Sequence, residues 1–265
     1  MLETLTARRI LGADLRGSSW PVLAETEVGP RFVKLRGAGQ GVPPLVAEIV
    51  VARIAEAIGL RVPQPVLIQL PAAIESANRR DELRDLLDRS VGVNLGFAYL
   101  DGATMFVPSD ATRVSADDAA AVVWLDALVM NPDRTARNPN LMWSQGRLWL
   151  IDHGAALGFQ YSWEDVTESA PTRPFVTGDP HVLQARVANI ADWDEILAAR
   201  LTRGALESAL ADVPDAFLSG DADRRRAAYV AYLWKRLKSP RTFFEPLATN
   251  STPRTRSRPT WLTRT

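Results

Sequence analysis

The stretch "LVAEIVVARIAEAIGL", residues 45–60, constrains the fold more than any other. Its apolar side chains recur on nearly every face of a helix, and a helix apolar all round is one surrounded by protein. Pro43 and Pro44 open it, where a missing N–H costs nothing, and Gly59 marks its end. The chain on either side offers two kinds of packing partner. Before it, "RRILGADL" reads as a strand and "WPVLAETEVGPRFVKL" as a hairpin turning at Val28-Gly29-Pro30. After it come a short strand, "VPQPVLIQL", a charged amphipathic helix, "ESANRRDELRDLLDRS", and an apolar glycine-containing stretch of strand and loop, "VGVNLGFAYLDGATMF".

From residue 115 onward helices dominate. "SADDAAAVVWLDALVM", residues 115–130, has Ser115 placed to cap it and Asp118 three residues on. It stops at Asn131-Pro132, because the residue before a proline avoids helical geometry. "LMW" and "RLWLI" flank Ser-Gln-Gly as a hairpin that ends in "DHG". Residues 160–182 read as a loop with a short helix, and helices are expected near 192–211 and 221–238. Strands with one helix, followed mostly by helices, predict an α+β fold of two lobes. Residues 1–100 would form a small lobe around an antiparallel sheet, and residues 101–247 a larger helical lobe. A cleft between lobes is a usual small-molecule site. The basic tail, 248–265, is rich in Ser, Thr and Pro and is expected to be disordered.

Composition removes several functions. With 31 basic and 31 acidic residues the net charge is zero, which argues against nucleic acid as a partner. No cysteine is present, so thiolate zinc sites and thiol nucleophiles are excluded. The two histidines, His153 and His181, are too few for a His-rich metal site. No apolar run reaches the roughly 18 residues of a membrane span, and the start of the chain lacks a signal-peptide pattern. A cytoplasmic protein is the expectation; nothing in the sequence indicates its oligomeric state.

Four polar positions then ask for an explanation. Lys34 stands between Val33 and Leu35 in "RFVKL", in a chain with only three lysines. It can point to solvent, or into the cleft toward nucleotide phosphates. Glu48 interrupts the apolar helix; it is either a half-exposed first-turn carboxylate or the buried partner of Lys34. The loop "NPDRTARNPN" places Asp133 after a helix end, with Asn138 and Asn140 following. An Asp–Asn turn is one reading. The other is an Asp that takes the proton of an attacking hydroxyl beside an Asn that offers an amide oxygen to Mg²⁺. Asp152 closes an apolar strand, as a turn residue or as a metal ligand. Taken together and in this order, a strand Lys, a helix Glu, a loop Asp with an Asn, and a strand-end Asp are what phosphoryl transfer requires.

"RFVKL…LVAE…NPDRTARNPNLMW…LWLIDHG" resembles the HipA-like kinases over roughly residues 8–240. Arg134 follows Asp133, as in HipA-like and lipid kinases, whereas protein kinases place the Arg before the Asp. Aminoglycoside and choline kinases carry a His two residues before the Asp; Asn131 occupies that position. The resemblance implies a protein-kinase-like fold, ATP and Mg²⁺ as cofactors, and a Ser or Thr hydroxyl of a protein as acceptor. It implies that Lys34 contacts the α and β phosphates, that Glu48 holds Lys34, and that Asp133 is the catalytic base. Asn138 and Asp152 would bind Mg²⁺, with Asn140 a competitor to Asn138. Gly17, Ser18 and Ser19, in "RGSS", resemble the phosphate-covering loop, in which a serine of the HipA toxins is self-phosphorylated. Adenine would sit near "LGFAYLDG". The chain resembles a short, stand-alone catalytic domain, and its Asp-His-Gly replaces the protein-kinase Asp-Phe-Gly. A lipid or small-molecule hydroxyl, transfer of AMP, and a catalytically silent nucleotide-binding protein are the competing readings.

Overall fold

The computed structural model describes residues 1–14, 20–78, 80–187, 190–238 and 240–244. Gly17, Ser18, Ser19 and the tail lie outside these. Seven strands form one sheet: β1 (Thr4–Thr6), β2 (Arg9–Ala13), β3 (Val22–Thr26), β4 (Gly29–Lys34), β5 (Pro65–Leu70), β6 (Glu75–Ser76) and β7 (Gly92–Ala98). Their order is β1-β5-β7-β4-β3-β2-β6. The expected antiparallel sheet needs a correction at both edges, where β1 pairs with β5 and β6 pairs with β2 in parallel. Both edge strands are short, and each pairs with a strand far away in sequence, Thr4 opposite Leu67 and Arg9 opposite Glu75. A two-residue hairpin can only produce antiparallel neighbours.

The β3–β4 hairpin turns earlier than Val28-Gly29-Pro30. Thr26 pairs with Gly29 and Glu25 with Pro30, so Glu27 and Val28 make the turn. Gly29 takes φ +101°, a conformation that side-chain-bearing residues rarely adopt.

The sheet is covered on both faces. Strand alternation sends Val33, Val66 and Ile68 to one side and Lys34, Leu67 and Leu95 to the other. Helix α2 (Asp81–Arg89) closes the first side with Leu83, Leu86 and Leu87, spaced as one helical face. It begins later than the charge pattern suggests. Ser76 Oγ bonds the carbonyl and amide of Asn78, and Asn78 Oδ1 takes the Arg80 amide, so side chains compete there with helical pairing.

Helix α1 (Pro43–Ala57) lies on the second side and buries ten residues, as its all-round apolarity requires. Its outer side meets α3 (Ala116–Val129) and α5 (Arg203–Ala211). Ser115 caps α3 by accepting the Asp118 amide. The second hairpin, β9 (Leu141–Ser144) and β10 (Arg147–Leu150), turns on Gln145-Gly146, both at positive φ, and β8 (Thr104–Met105) adds a third strand. The helix expected near 192–211 is two: α4 (Ala191–Ala198) ends, and Thr202 caps α5 by accepting the Ala205 amide. Residues 160–182 hold short 3₁₀ turns, and α6 (Ala222–Leu237) closes the fold. No helix among the described residues is long and apolar enough to cross a membrane.

Candidate active site

Lys34 is the last residue of β4 and sits opposite Leu95 of β7, on the face that α1 covers. Its Nζ donates to Oε1 of Glu48 and, at 2.5 Å, to Oδ1 of Asp152. Glu48 is 0% exposed. A buried carboxylate without a partner is costly, and Lys34 supplies one. Burial pushes the Glu48 carboxyl up, and Lys34 opposes this. Burial alone would lower the Lys34 pKa, but the two carboxylates outweigh it and hold the ammonium above its ordinary value. Lys34 is therefore a fixed cation.

Asp152 follows β10 with φ +54°, a strained conformation for a residue with a side chain. Its side chain is 42% exposed, so a ligand can reach it while Lys34 cannot be displaced from Glu48 without cost. Burial pushes Asp152 up, but Lys34 wins and keeps it below its ordinary value. Gly154 permits the close passage beneath α1: a Cβ there would lie 3.2 Å from Pro44 Cβ and 3.4 Å from Glu48 Oε1.

The loop between α3 and β9 brings in the remaining candidates. Met130 ends α3 at φ +55°, and the Asn131 amide turns back to the Asp126 carbonyl at 2.8 Å. Asn131 Oδ1 then takes the Asp133 amide at 3.2 Å. Asn138 Nδ2 and Asn140 Nδ2 both donate to Asp133 Oδ2, at 2.7 and 3.1 Å. Both asparagines thus reach the same carboxylate. Asn138 is exposed and Asn140 buried. Burial and the nearby Asp152 charge raise the Asp133 pKa, against the pull of the two amides.

Beneath the loop lies a polar network that sequence reasoning missed. Asp126, wholly buried in the last turn of α3, takes Arg134 Nε at 2.6 Å, Arg134 Nη2 at 3.3 Å, Asn131 Nδ2 at 3.1 Å and His181 Nε2 at 2.9 Å. These donors outweigh the effect of burial and keep Asp126 ionised well below the usual carboxylate range. Arg134 Nη1 donates to the carbonyls of Asn140 and Ile151, which adjoin β9 and Asp152. Arg134 Nη2 meets His153 Nδ1 at 3.3 Å. The signal was present: Asp126 interrupts an apolar helix as Glu48 does.

Among the described residues no three His, Asp or Glu groups converge as a metal cage. Mg²⁺ on a nucleotide does not need one, since it keeps water and phosphate oxygens and takes one or two protein ligands. An exposed carboxylate at Asp152 and amide oxygens from Asn138 or Asn140 fit that donor set.

A sequence model of the HipA-like kinases matches residues 8–231, well over half the chain. The chain belongs to the HipA-like kinase family. Among curated proteins none matches this HipA-like kinase. Among solved structures, it is similar to the crystal structure of a Helicobacter pylori proinflammatory kinase, CtkA. That match has a TM-score of 0.54 at 11% identity and covers 94% of this chain and 98% of the other, a likeness of fold.

Proposed function

We propose that this HipA-like kinase transfers the γ-phosphoryl group of ATP, with Mg²⁺, to a Ser or Thr hydroxyl of a protein, its own chain included, in the cytoplasm. The observation that carries the reading is Lys34 held between buried Glu48 and half-buried Asp152. Residues 1–100 would act as a small nucleotide-phosphate lobe and residues 101–247 as a helical lobe carrying the loop and Asp152, with the transfer in the cleft between.

In this reading Lys34 binds phosphate oxygens while Glu48 sets its position. Asp133 accepts the acceptor hydroxyl's proton as that oxygen attacks the γ-phosphorus and the bond from phosphorus to the β–γ bridging oxygen breaks, with ADP as the leaving group. Its raised pKa favours that task, since a base works best with a pKa drawn toward the working pH. Asn138 and Asn140 both hold Asp133 Oδ2 and orient its other oxygen. Asp152 together with Asn138 or Asn140 would hold Mg²⁺, which neutralises charge building on the phosphate oxygens. Gly17, Ser18 and Ser19 would cover the phosphates.

The test is incubation with γ-labelled ATP and Mg²⁺ beside Asp133→Asn and Asp152→Ala. Label on protein serine or threonine in the wild type alone supports the reading. Label in an organic-soluble or small-molecule fraction would move the acceptor to a lipid or metabolite hydroxyl. Nucleotide binding without transfer, against a panel of acceptors, would leave a silent nucleotide-binding protein. No binding of ATP would sink the kinase reading.

A further inference from the structure

We propose that His181, 48 residues beyond Asp133 in sequence, is a positioning residue for this transfer. It locks segment 177–183 onto the loop and completes the donor set of Asp126, so that Arg134 keeps Asp133 and Asp152 in register. The inference rests on the kinase reading above.

Three observations carry it. First, the ring is fixed at both nitrogens. The Leu183 amide donates to His181 Nδ1 at 3.0 Å, so the neutral ring carries its proton on Nε2, which donates to Asp126 Oδ2 at 2.9 Å. Such a two-ended hold sets tautomer and orientation together. Second, the same segment pairs with the loop backbone immediately after Asp133. Thr135 and His181 form an antiparallel bridge, and the Val182 amide donates to the Arg134 carbonyl at 3.0 Å. Third, Asp126 Oδ2 is shared between His181 and Arg134 Nε, and Arg134 spans from Asp126 to the carbonyls of Asn140 and Ile151. A buried carboxylate one donor short is left with part of its desolvation cost uncompensated, which favours a rotation that recovers a partner. Here that rotation moves Arg134, and with it both ends of the acid pair.

Gln places its Nε2 where the His Nε2 lies, and Asn places its polar atom near Nδ1. His181→Gln therefore keeps the bond to Asp126, His181→Asn keeps the bond from Leu183, and His181→Ala keeps neither. Small misplacements of reacting groups cost up to about 100-fold in rate. Turnover of γ-labelled ATP in His181→Ala and His181→Asn is expected to fall ~10- to 100-fold in kcat with KM for ATP changed less than about 2-fold. His181→Gln is expected to recover most of the loss. Amide exchange is read on the same samples. The Thr135 and Ile151 amides, bonded to the Asp133 and Asn140 carbonyls, should exchange faster in the first two variants and normally in His181→Gln. The amides of β5 and β7 should stay unchanged as the marker of a folded chain.

Unchanged kcat and unchanged loop exchange in His181→Ala would overturn the proposal. So would equal losses in His181→Gln and His181→Asn with both chains folded. If the wild type transfers no phosphate at all, the kinase reading fails by itself. The exchange comparison then still decides whether His181 positions the loop.

Discussion

Asp133 and Asp152 are both carboxylates of one loop-and-hairpin unit, and their surroundings push them apart. Burial and the charge of Asp152 raise Asp133, while Lys34 overcomes burial to lower Asp152. Such a separation is how two like groups come to do different work. Asp133→Asn should therefore lower single-turnover transfer by ~10²- to 10⁴-fold, the usual worth of a general base, with ATP affinity by calorimetry nearly unchanged. Asp152→Ala should lose the Mg²⁺-dependent part of that affinity. His153 gives a second residue-scale expectation. Burial, then the cations Arg134 and Lys34, push its pKa down to about 3 from the ordinary 6.5 of a histidine. The folded-state value is depressed, so its contribution is present above the unfolded value and lost as pH falls toward the folded one. Between about 6.5 and about 3 the unfolded chain binds a proton that the folded chain refuses, worth up to ~1.4 kcal/mol per pH unit. Urea midpoints should fall across that window. His153→Asn, which keeps an acceptor near Nδ1 without titrating, should show a flatter curve; an identical slope would remove His153 as the cause.

At the scale of elements, the end of α3 decides where the loop starts, and α6 holds that end. Arg236 of α6 is buried and donates to the Leu128 and Ala127 carbonyls at 2.8 and 2.9 Å. These are carbonyls of the last turn of α3, which lacks helical partners for them. The same guanidinium donates to the Pro171 and Arg173 carbonyls at 2.9 Å. Burial without a carboxylate pushes its pKa down to about 10. Arg236→Leu should leave these acceptors short and cost about 2–3 kcal/mol or more in urea unfolding, with a fall in turnover because the loop loses its anchor. Retained stability would mean water replaces the guanidinium. None of this clamp was legible in the sequence, since Arg236 and Leu128 stand 108 residues apart. What was legible has local causes. The all-round apolarity of α1, the Ser115 cap, the Gln145-Gly146 turn and the order of Lys34, Glu48, Asp133 and Asp152 could each be read within a short window. The late start of α2, the break before Thr202 and the parallel edges of the sheet depend on side-chain caps and distant strand partners. Asp126 was readable as an oddity in an apolar helix, but its partner His181 lies 55 residues on, and no pattern links them.

On the scale of the whole molecule, Lys34 and Asp152 tie the seven-stranded sheet to the segment that follows β10. β4 belongs to the seven-stranded sheet, Asp152 lies two residues beyond the end of β10, and the 2.5 Å contact joins them beside α1. A ligand that binds both sides stabilises the folded chain as a unit, because it binds the native state and not the unfolded one. At a free concentration 100 times its Kd that effect is ~2.7 kcal/mol. For a chain of this size each kcal/mol raises Tm by about 2–4 °C, so saturating Mg²⁺-ATP should raise Tm by roughly 5–10 °C. Lys34 is already protonated and paired, so in the proposed reading a phosphate would compete with Asp152 for it, and the gain would depend on the Asp152 carboxylate being taken up by Mg²⁺. ATP with a chelator should therefore give a much smaller shift than Mg²⁺-ATP, and Asp152→Ala should make the two equal. A full shift with ATP alone, unchanged by Asp152→Ala, would mean that the nucleotide binds without this bridge and that Asp152 serves only to neutralise Lys34.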